Sequence, residues 1–544
     1  MPLSSPIRRR FHSFLALCLL AASALPAAAH DEMHQPGHVP EAILEKPIPL
    51  HQGLGPDHQK VSTASPRAQA FYDQGLRYLH SYVWVQAARS FHQALRLDPH
   101  LAMADLGLAD ALIGLQDVPA ARHACDAARA LAPYMSPAEK DWLNIRDLEV
   151  AFLETGDPGK LNAYKQALDD ASAAYPKDPW FLIQRGLAEE ASPFTHGQAS
   201  GARSVPYYKQ ALAFSPDNLA AFHYVIHAHE NLGDIRAALD ESATYARLAW
   251  AIPHAHHMRG HELMRMGKSE EAIREFDRTN QLEEASYRAE GIPAEYDWHH
   301  AHNLQLMGMN EELLGRMHRA ESLFRQAFAL PASTEFLAYN RRAWPEFLLD
   351  RGRYQDALSA STEMTHSPWP LARLAGHSLA GEAQLGLNRL DLAQQELGLA
   401  QQEASHIEPR IASMLPYPAA LEAAILLRQG SLDQGNDIFA RVEQMSVAMP
   451  GPDGWIAAIF VLNSIAREAR EAQDWPLAQQ AAEQIISHDP YFAGGHFALG
   501  LVAAHAGEQD GARQMFANAI QLWATADPDL PELATARAAV KPAP

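Results

Sequence analysis

Histidines recur in this chain at intervals that suit metal coordination. His223 and His227 are repeated by His257 and His261 at a constant offset (257 − 223 = 261 − 227 = 34). His254 precedes the second pair, and His302 occupies the matching place in a third segment. Residues spaced i, i+3 and i+7 share one face of an α-helix, so each segment presents its imidazoles on a single stripe. Two histidines four apart can reach one ion at about 2.0–2.1 Å per nitrogen, and the same pair on a neighbouring helix completes a tetrahedral or dinuclear set. The six imidazoles of His223, His227, His254, His257, His261 and His302 exceed what one tetrahedral ion needs. Two adjacent ions, or one ion with supporting histidines, both fit. Glu230 and Asn303 stand beside these positions and can supply an oxygen ligand, an orienting hydrogen bond or a general base. The ion expected is zinc or copper. Met258, Met264, Met266, Met307 and Met309 add thioethers that suit Cu(I), although methionine at helical spacing also serves as core filler.

The elements that must position these residues are helical hairpins. From Gly75 the chain reads Gly75, Ala87, Phe91, Ala94 and Pro99, a small–small–aromatic–small–proline skeleton that resembles a tetratricopeptide repeat. The offsets return with Ala121, Cys125, Ala128 and Pro133, with Gly260, Ala272 and Phe276, with Gly308, Ala320, Phe324 and Ala327, and with Gly500, Ala512, Phe516 and Ala519. The 34-residue histidine offset is the same period. Small residues let two antiparallel helices approach, and the aromatic fills the wedge before the next hairpin. Degenerate copies over 338–370, 374–405, 416–445 and 459–490 extend the array. The expected fold is an all-α, tetratricopeptide-type solenoid. In that class the histidine-bearing face of the first helix lines the concave groove, so the imidazoles are expected to face an open groove.

Longer signatures carry a further resemblance. His223-Tyr224-Val225-Ile226-His227-Ala228-His229-Glu230 resembles the H-Y-x-I-H-x-x-E motif of a group of bacterial exported tetratricopeptide-repeat proteins. His254 to His261, continuing to Arg265-Met266-Gly267, is similar to that group's H-x-x-H-M-x-x-H-x-x-x-R-x-G. His302-Asn303 with Gly315-Arg316 resembles its H-N signature, but Gln305 stands where a further histidine is usual. His80-Ser81-Tyr82 and the stretch from Ala87 to Ala104 also fit, so the resemblance spans about residues 70–330. It implies a shared architecture and site and attaches no reaction.

Two function classes follow. In the first, groove histidines hold one or two transition-metal ions, in a metalloenzyme or a metal-handling protein. Open coordination positions then allow metal-activated water for hydrolysis, or dioxygen chemistry with copper. In the second, a metal-free scaffold binds a partner protein or peptide along the groove, with Arg259 and Arg265 available to acidic ligands. His229 and His256 fall at core-type positions and read as packing histidines, whereas His299 and His300 fit either role.

Composition narrows the partners. The 544 residues carry a formal net charge of −21, which gives phosphate no basic face and excludes nonspecific nucleic-acid binding. Residues 1–29 read as an export signal: Arg8-Arg9-Arg10 precedes an apolar stretch from Phe14 to Leu25, and Ala27-Ala28-Ala29 offers a cleavage site. Arg8-Arg9-Arg10-Phe11 is also similar to a twin-arginine signal. No later segment has the apolar length of a transmembrane helix. The expected location is therefore periplasmic or secreted, with a mature start at His30, whose amine and imidazole can take copper beside His34 and His38. Cys125 would then be the only remaining cysteine, which excludes an intramolecular disulfide. The organisation expected is a His/Pro-rich flexible arm over 30–65, a first repeat array over 66–330, a second over 331–530 and a flexible tail over 531–544.

Overall fold

The computed structural model describes residues 39–190, 200–332 and 334–541. The signal segment 1–29 and the residues His30, His34 and His38 lie outside them. All regular elements among the described residues are helices. They pair as antiparallel hairpins, beginning with Pro66–Leu79 against Trp84–Leu97 and Ala102–Gly114 against Val118–Ala130. Three consecutive hairpins carry the histidines: Leu219–Leu232 with Ile235–Leu248, Pro253–Arg265 with Ser269–Glu290, and Trp298–Leu313 with Met317–Ala329. The second half continues through Pro370–Gly386 with Leu390–Ala404, Tyr417–Arg428 with Leu432–Val447, Gly451–Glu471 with Trp475–His488, and Ala493–His505 with Gln509–Leu522.

The glycine–aromatic pairs read from the sequence are the contacts that close each hairpin. A Cβ placed on Gly260 would sit 2.5 Å from the Phe276 ring, and the equivalent distances are 2.6 Å for Gly75 to Phe91, 2.8 Å for Gly308 to Phe324 and 2.6 Å for Gly500 to Phe516. These phenylalanines are almost fully buried. Cys125 fills the same wedge in its own repeat, and burial pushes its thiol up to about 12, so it is a packing residue rather than a nucleophile.

The solenoid closes on itself. Gly451–Glu471, from the second half, packs across the helices Leu219–Leu232 and Pro253–Arg265 of the first. Further along, the Asp527 amide donates to the Gly315 carbonyl at 3.1 Å and Arg316 Nε donates to the Thr525 carbonyl at 3.2 Å. The concave face at the histidine layers is therefore lined on both sides by protein.

Two segments expected to be flexible are ordered where they are described. Within 30–65, residues 39–65 form a strap with Val39, Leu44, Ile48, Leu54 and Val61 buried. Arg89, itself buried, donates to the Lys46 and Pro47 carbonyls and pairs with Glu290. Asp57 accepts from the Leu219 and Ala220 amides, and the Gly53 carbonyl accepts from Ala251, so the strap fixes the entries of two histidine helices. Its apolar residues are isolated and aperiodic, which is why the composition reads as an arm. The tail likewise continues as a helix, Pro531–Ala539, with Leu533 and Ala536 buried against the preceding hairpin.

Gly260→Ala tests the hairpin contact beside His261. The methyl gains about 1 kcal/mol of helix propensity but overpacks the Phe276 ring, which costs about 1–3 kcal/mol. A net loss of up to about 2 kcal/mol in urea denaturation is expected. Increased stability contradicts this packing.

Candidate metal centre

The six histidines converge as two triads rather than on one point. His223, His227 and His254 form one group and His257, His261 and His302 the other, with the candidate ligand atoms of each group within 4.8 Å of one another. Each triad draws on two neighbouring helices, as the shared register requires. The groups adjoin, since the His254 and His257 rings lie 5.5 Å apart, centroid to centroid. The open groove expected for these rings is not what the fold builds. Their exposures range from 0% to 7%, because Gly451–Glu471 and the turn before it cover the concave face.

Hydrogen bonds fix where the ring protons sit. His223 Nδ1 faces the His80 carbonyl at 2.7 Å, and a carbonyl only accepts, so Nδ1 carries the proton. Glu230 accepts from His227 Nδ1 at 3.0 Å through one oxygen and from His261 Nδ1 at 3.2 Å through the other. His257 Nδ1 donates to Asn303 Oδ1 at 3.0 Å, whose own amide donates to the Phe276 carbonyl at 3.1 Å. Each of these rings therefore presents an Nε2 lone pair. Glu230 and Asn303 orient imidazoles from behind, one of the roles open to them in the sequence.

The lone pairs then face one another. His227 Nε2 lies 3.1 Å and His254 Nε2 lies 2.9 Å from His223 Nε2. His254 Nδ1 has no partner among the described residues, so its proton can sit on Nε2 and satisfy His223. That single proton cannot also serve His227, whose lone pair still meets another. In the second triad His261 Nε2 is buried with no partner among the described residues. A cation between these nitrogens removes both defects. Tetrahedral coordination at about 2.0–2.1 Å sets neighbouring nitrogens about 3.3 Å apart, within a few tenths of an ångström of the separations seen.

Burial, followed by neighbouring imidazoles, pushes His223, His254 and His257 well below the usual imidazole range, and burial brings His302 down to about 4. Burial alone would raise Glu230, but the hydrogen bonds from His227 and His261 outweigh it and hold the carboxyl well below its ordinary value. His223, His254, His257 and His302 are thus neutral and the Glu230 carboxylate ionised, protonation states that suit metal coordination.

Other residues assume different roles. His229 donates to Glu241 at 2.7 Å and His256 to Glu275 at 2.7 Å, as packing histidines should. Met258, Met264, Met307 and Met309 lie in hydrophobic clusters. Arg259 is bonded to Glu275, and Arg265 to the Glu230 carbonyl. His299, left open in the sequence, lies between the triads, its ring 4.8 Å from His254 and 4.2 Å from His257. Its Nδ1 donates to Glu283 at 2.5 Å, and its Nε2 is buried without a partner among the described residues. Glu283 comes from the extra turns of Ser269–Glu290, so the insertion at 281–298 brings a carboxylate to the site. Tyr82, which the sequence offers only as part of the wider resemblance, also reaches the site. It sits at φ 58° in the turn after Pro66–Leu79, with its ring 4.4 Å from His223 and 5.1 Å from His254. A tyrosine held in the left-handed region marks a place where tertiary packing overrides local preference.

The fold and site define a tetratricopeptide-type solenoid with a buried polyhistidine centre. No protein-family model matches the chain, and no curated protein matches it. Among solved structures it is similar to the APC/C hetero-tetramer Cut9–Hcn1, at 13% identity and TM-score 0.45 over 87% of this chain and 83% of that one. It is also similar to a tetratricopeptide repeat protein from Parabacteroides merdae, at 16% identity and TM-score 0.34 over 48% and 93%. A third similarity is to yeast Tom70, at 12% identity and TM-score 0.33 over 87% and 95%. The fold assignment rests on the hairpins of this chain.

Acid should destabilise the metal-free protein. With His302 down at about 4 in the folded chain, His223 held well below its ordinary value by burial, and an unfolded value of 6.5, the unfolded chain takes up protons that the folded chain refuses. Stability is full above about pH 6.5 and is lost as pH falls toward 4. After chelation, the urea midpoint should drop from pH 7 to about 4.5; a flat or rising midpoint over that window contradicts neutral buried rings.

Proposed function

We propose that this chain is an exported solenoid that binds two transition-metal ions, zinc or copper, one in each histidine triad, as a metalloenzyme or a metal-handling protein. The observation that carries the reading is the pair of facing Nε2 lone pairs on His223 and His227, 3.1 Å apart, with both Nδ1 protons committed elsewhere. Neutral imidazoles packed for structure alone would not be arranged so, because each unsatisfied buried polar atom costs about 1–3 kcal/mol. Three protein ligands per ion leave a coordination position for water or substrate, the ligand count of catalytic zinc sites. The residues supplying orientation are Glu230, Asn303 and the His80 carbonyl, and Glu283 is placed to do the same for His299.

The scaffold reading is supported by the solenoid fold. At the histidine layers, however, Gly451–Glu471 packs against the histidine helices and narrows the concave face to a cavity of about 200 Å³.

Elemental analysis of protein purified without a histidine tag, beside a His227→Ala/His261→Ala variant, tests the proposal. About two ions per chain are expected in the parent, with loss from both triads in the variant, since each substitution removes one ligand of three. Absence of bound metal after reconstitution with zinc and with copper would overturn it and leave the scaffold.

A further inference from the structure

A separate chamber lies between the third histidine hairpin and the second half, and its charges do not balance. It has a volume of about 60 Å³. Four helices bring carboxylates to its wall: Glu312 from Trp298–Leu313, Glu346 and Asp350 from Ala343–Asp350, Glu382 from Pro370–Gly386 and Glu468 from Gly451–Glu471. Arg467 is the one cation among the described lining residues, and no histidine of either triad is among them.

Three of these carboxylates are answered within the protein. Asp350 accepts from Arg467 Nη1 at 3.1 Å and from Asn463 Nδ2 at 2.9 Å. Glu346 accepts from the Tyr417 hydroxyl at 2.6 Å, with Arg342 3.6 Å away, and Glu468 accepts from Arg428 Nη2 at 3.0 Å. Glu382 and Glu312 are different. The Glu382 carboxylate stands 3.9 Å from Arg467 Nη2, beyond hydrogen-bonding distance, and that nitrogen already donates to Ser464 Oγ at 3.0 Å. Glu312 is 4% exposed, and its Oε1 is buried without a partner among the described residues. Arg351, whose charge reaches Glu312, is itself paired with Glu532. Burial raises Glu382 to about 8 against the pull of Arg467, with Glu468 and Glu346 adding to the rise. Burial likewise lifts Glu312 well above the carboxylate range, with Asp350, Glu346 and Glu532 adding to it.

The wall specifies what completes it. Two carboxyls short of donors call for a cation that carries its own N–H groups, because hydrogen bonds from a charged donor to a carboxylate are the strong kind. Among the described residues no three of these carboxylates bring oxygens within 4.8 Å of one another, so a divalent ion finds no ligand set here. Phe347 and Phe460 give the wall an apolar face. A cavity of about 150 Å³ holds benzene, so this smaller space admits roughly two or three non-hydrogen atoms.

We infer that this chamber binds a small primary ammonium ion, its N–H groups donating to Glu312 and Glu382 and its short alkyl group against Phe347 and Phe460. The inference goes beyond the metal reading and uses none of the proposed metal ligands.

Titration calorimetry of the full chain with methylammonium chloride makes the test, on chelator-treated and on zinc-treated protein. One site per chain and the same affinity are expected in both. Methanol, a neutral molecule of the same size, and potassium, a cation without N–H groups, should bind at least roughly tenfold more weakly. A carboxyl that meets the ammonium gives up its proton, so affinity should rise from about pH 6 to about pH 8.5. Glu312→Gln and Glu382→Gln keep the side-chain shape and should each weaken methylammonium roughly tenfold or more, with zinc content unchanged. If one variant does not fold, the other carries the comparison. No methylammonium binding, or equal binding of methanol or potassium, would overturn the inference. So would glutamine variants that bind as the parent does, or an affinity that falls with rising pH. Failure of zinc to bind, with methylammonium still held and lost in the glutamine variants, would count against the metal reading alone.

Discussion

One buried carboxylate holds the centre together. Glu230 is 1% exposed and gives one oxygen to His227 and the other to His261, so it sets the tautomer of one ring in each triad. An isolated carboxylate at that depth would cost several kcal/mol of desolvation. Here two N–H donors and the nearby Arg265 guanidinium offset it, while burial and the Glu230 charge raise the adjacent Glu262 well above the carboxylate range and keep it neutral. The result is a single negative charge behind two imidazoles whose lone pairs point the other way. Such a charge raises imidazole basicity and favours a cation on the far side of the rings.

The repeat explains why one carboxylate can reach both groups. Stacked hairpins repeat a helix position at a fixed offset, so His227 and His261 are equivalent residues of adjacent layers, and Glu230 lies one turn beyond the first of them. The strap over 39–65 ties the entries of these two helices through Asp57 and Gly53, and the turn at His80 to Tyr82 adds a carbonyl and a ring. The site is thus assembled from five places in the chain, the three histidine helices, the strap and this turn, and covered by a sixth, Gly451–Glu471.

How much of this the sequence discloses depends on the range of the interaction. Helix faces, the 34-residue register and the Gly260–Phe276 type of contact are local or next-neighbour features, and they are legible. Sorting six imidazoles into two triads needs the rotation between hairpins, which no spacing contains. The enclosure of the groove depends on the pitch accumulated over many repeats, so an open surface is the natural expectation from one. The place of Tyr82 beside the histidines is not legible for another reason, since it rests on a backbone conformation that its residue type disfavours. His299 was ambiguous because its role depends on Glu283, carried by an insertion outside the repeat.

Anomalous diffraction from crystals of the metal-loaded chain tests the central claim most directly. Zinc- or copper-edge maps should contain two peaks, one bounded by His223, His227 and His254 and the other by His257, His261 and His302, with Glu230 outside both coordination spheres. Peaks confined to the surface group of His318, half-buried Asp527 and Asp529, or absent from the buried triads, would contradict it.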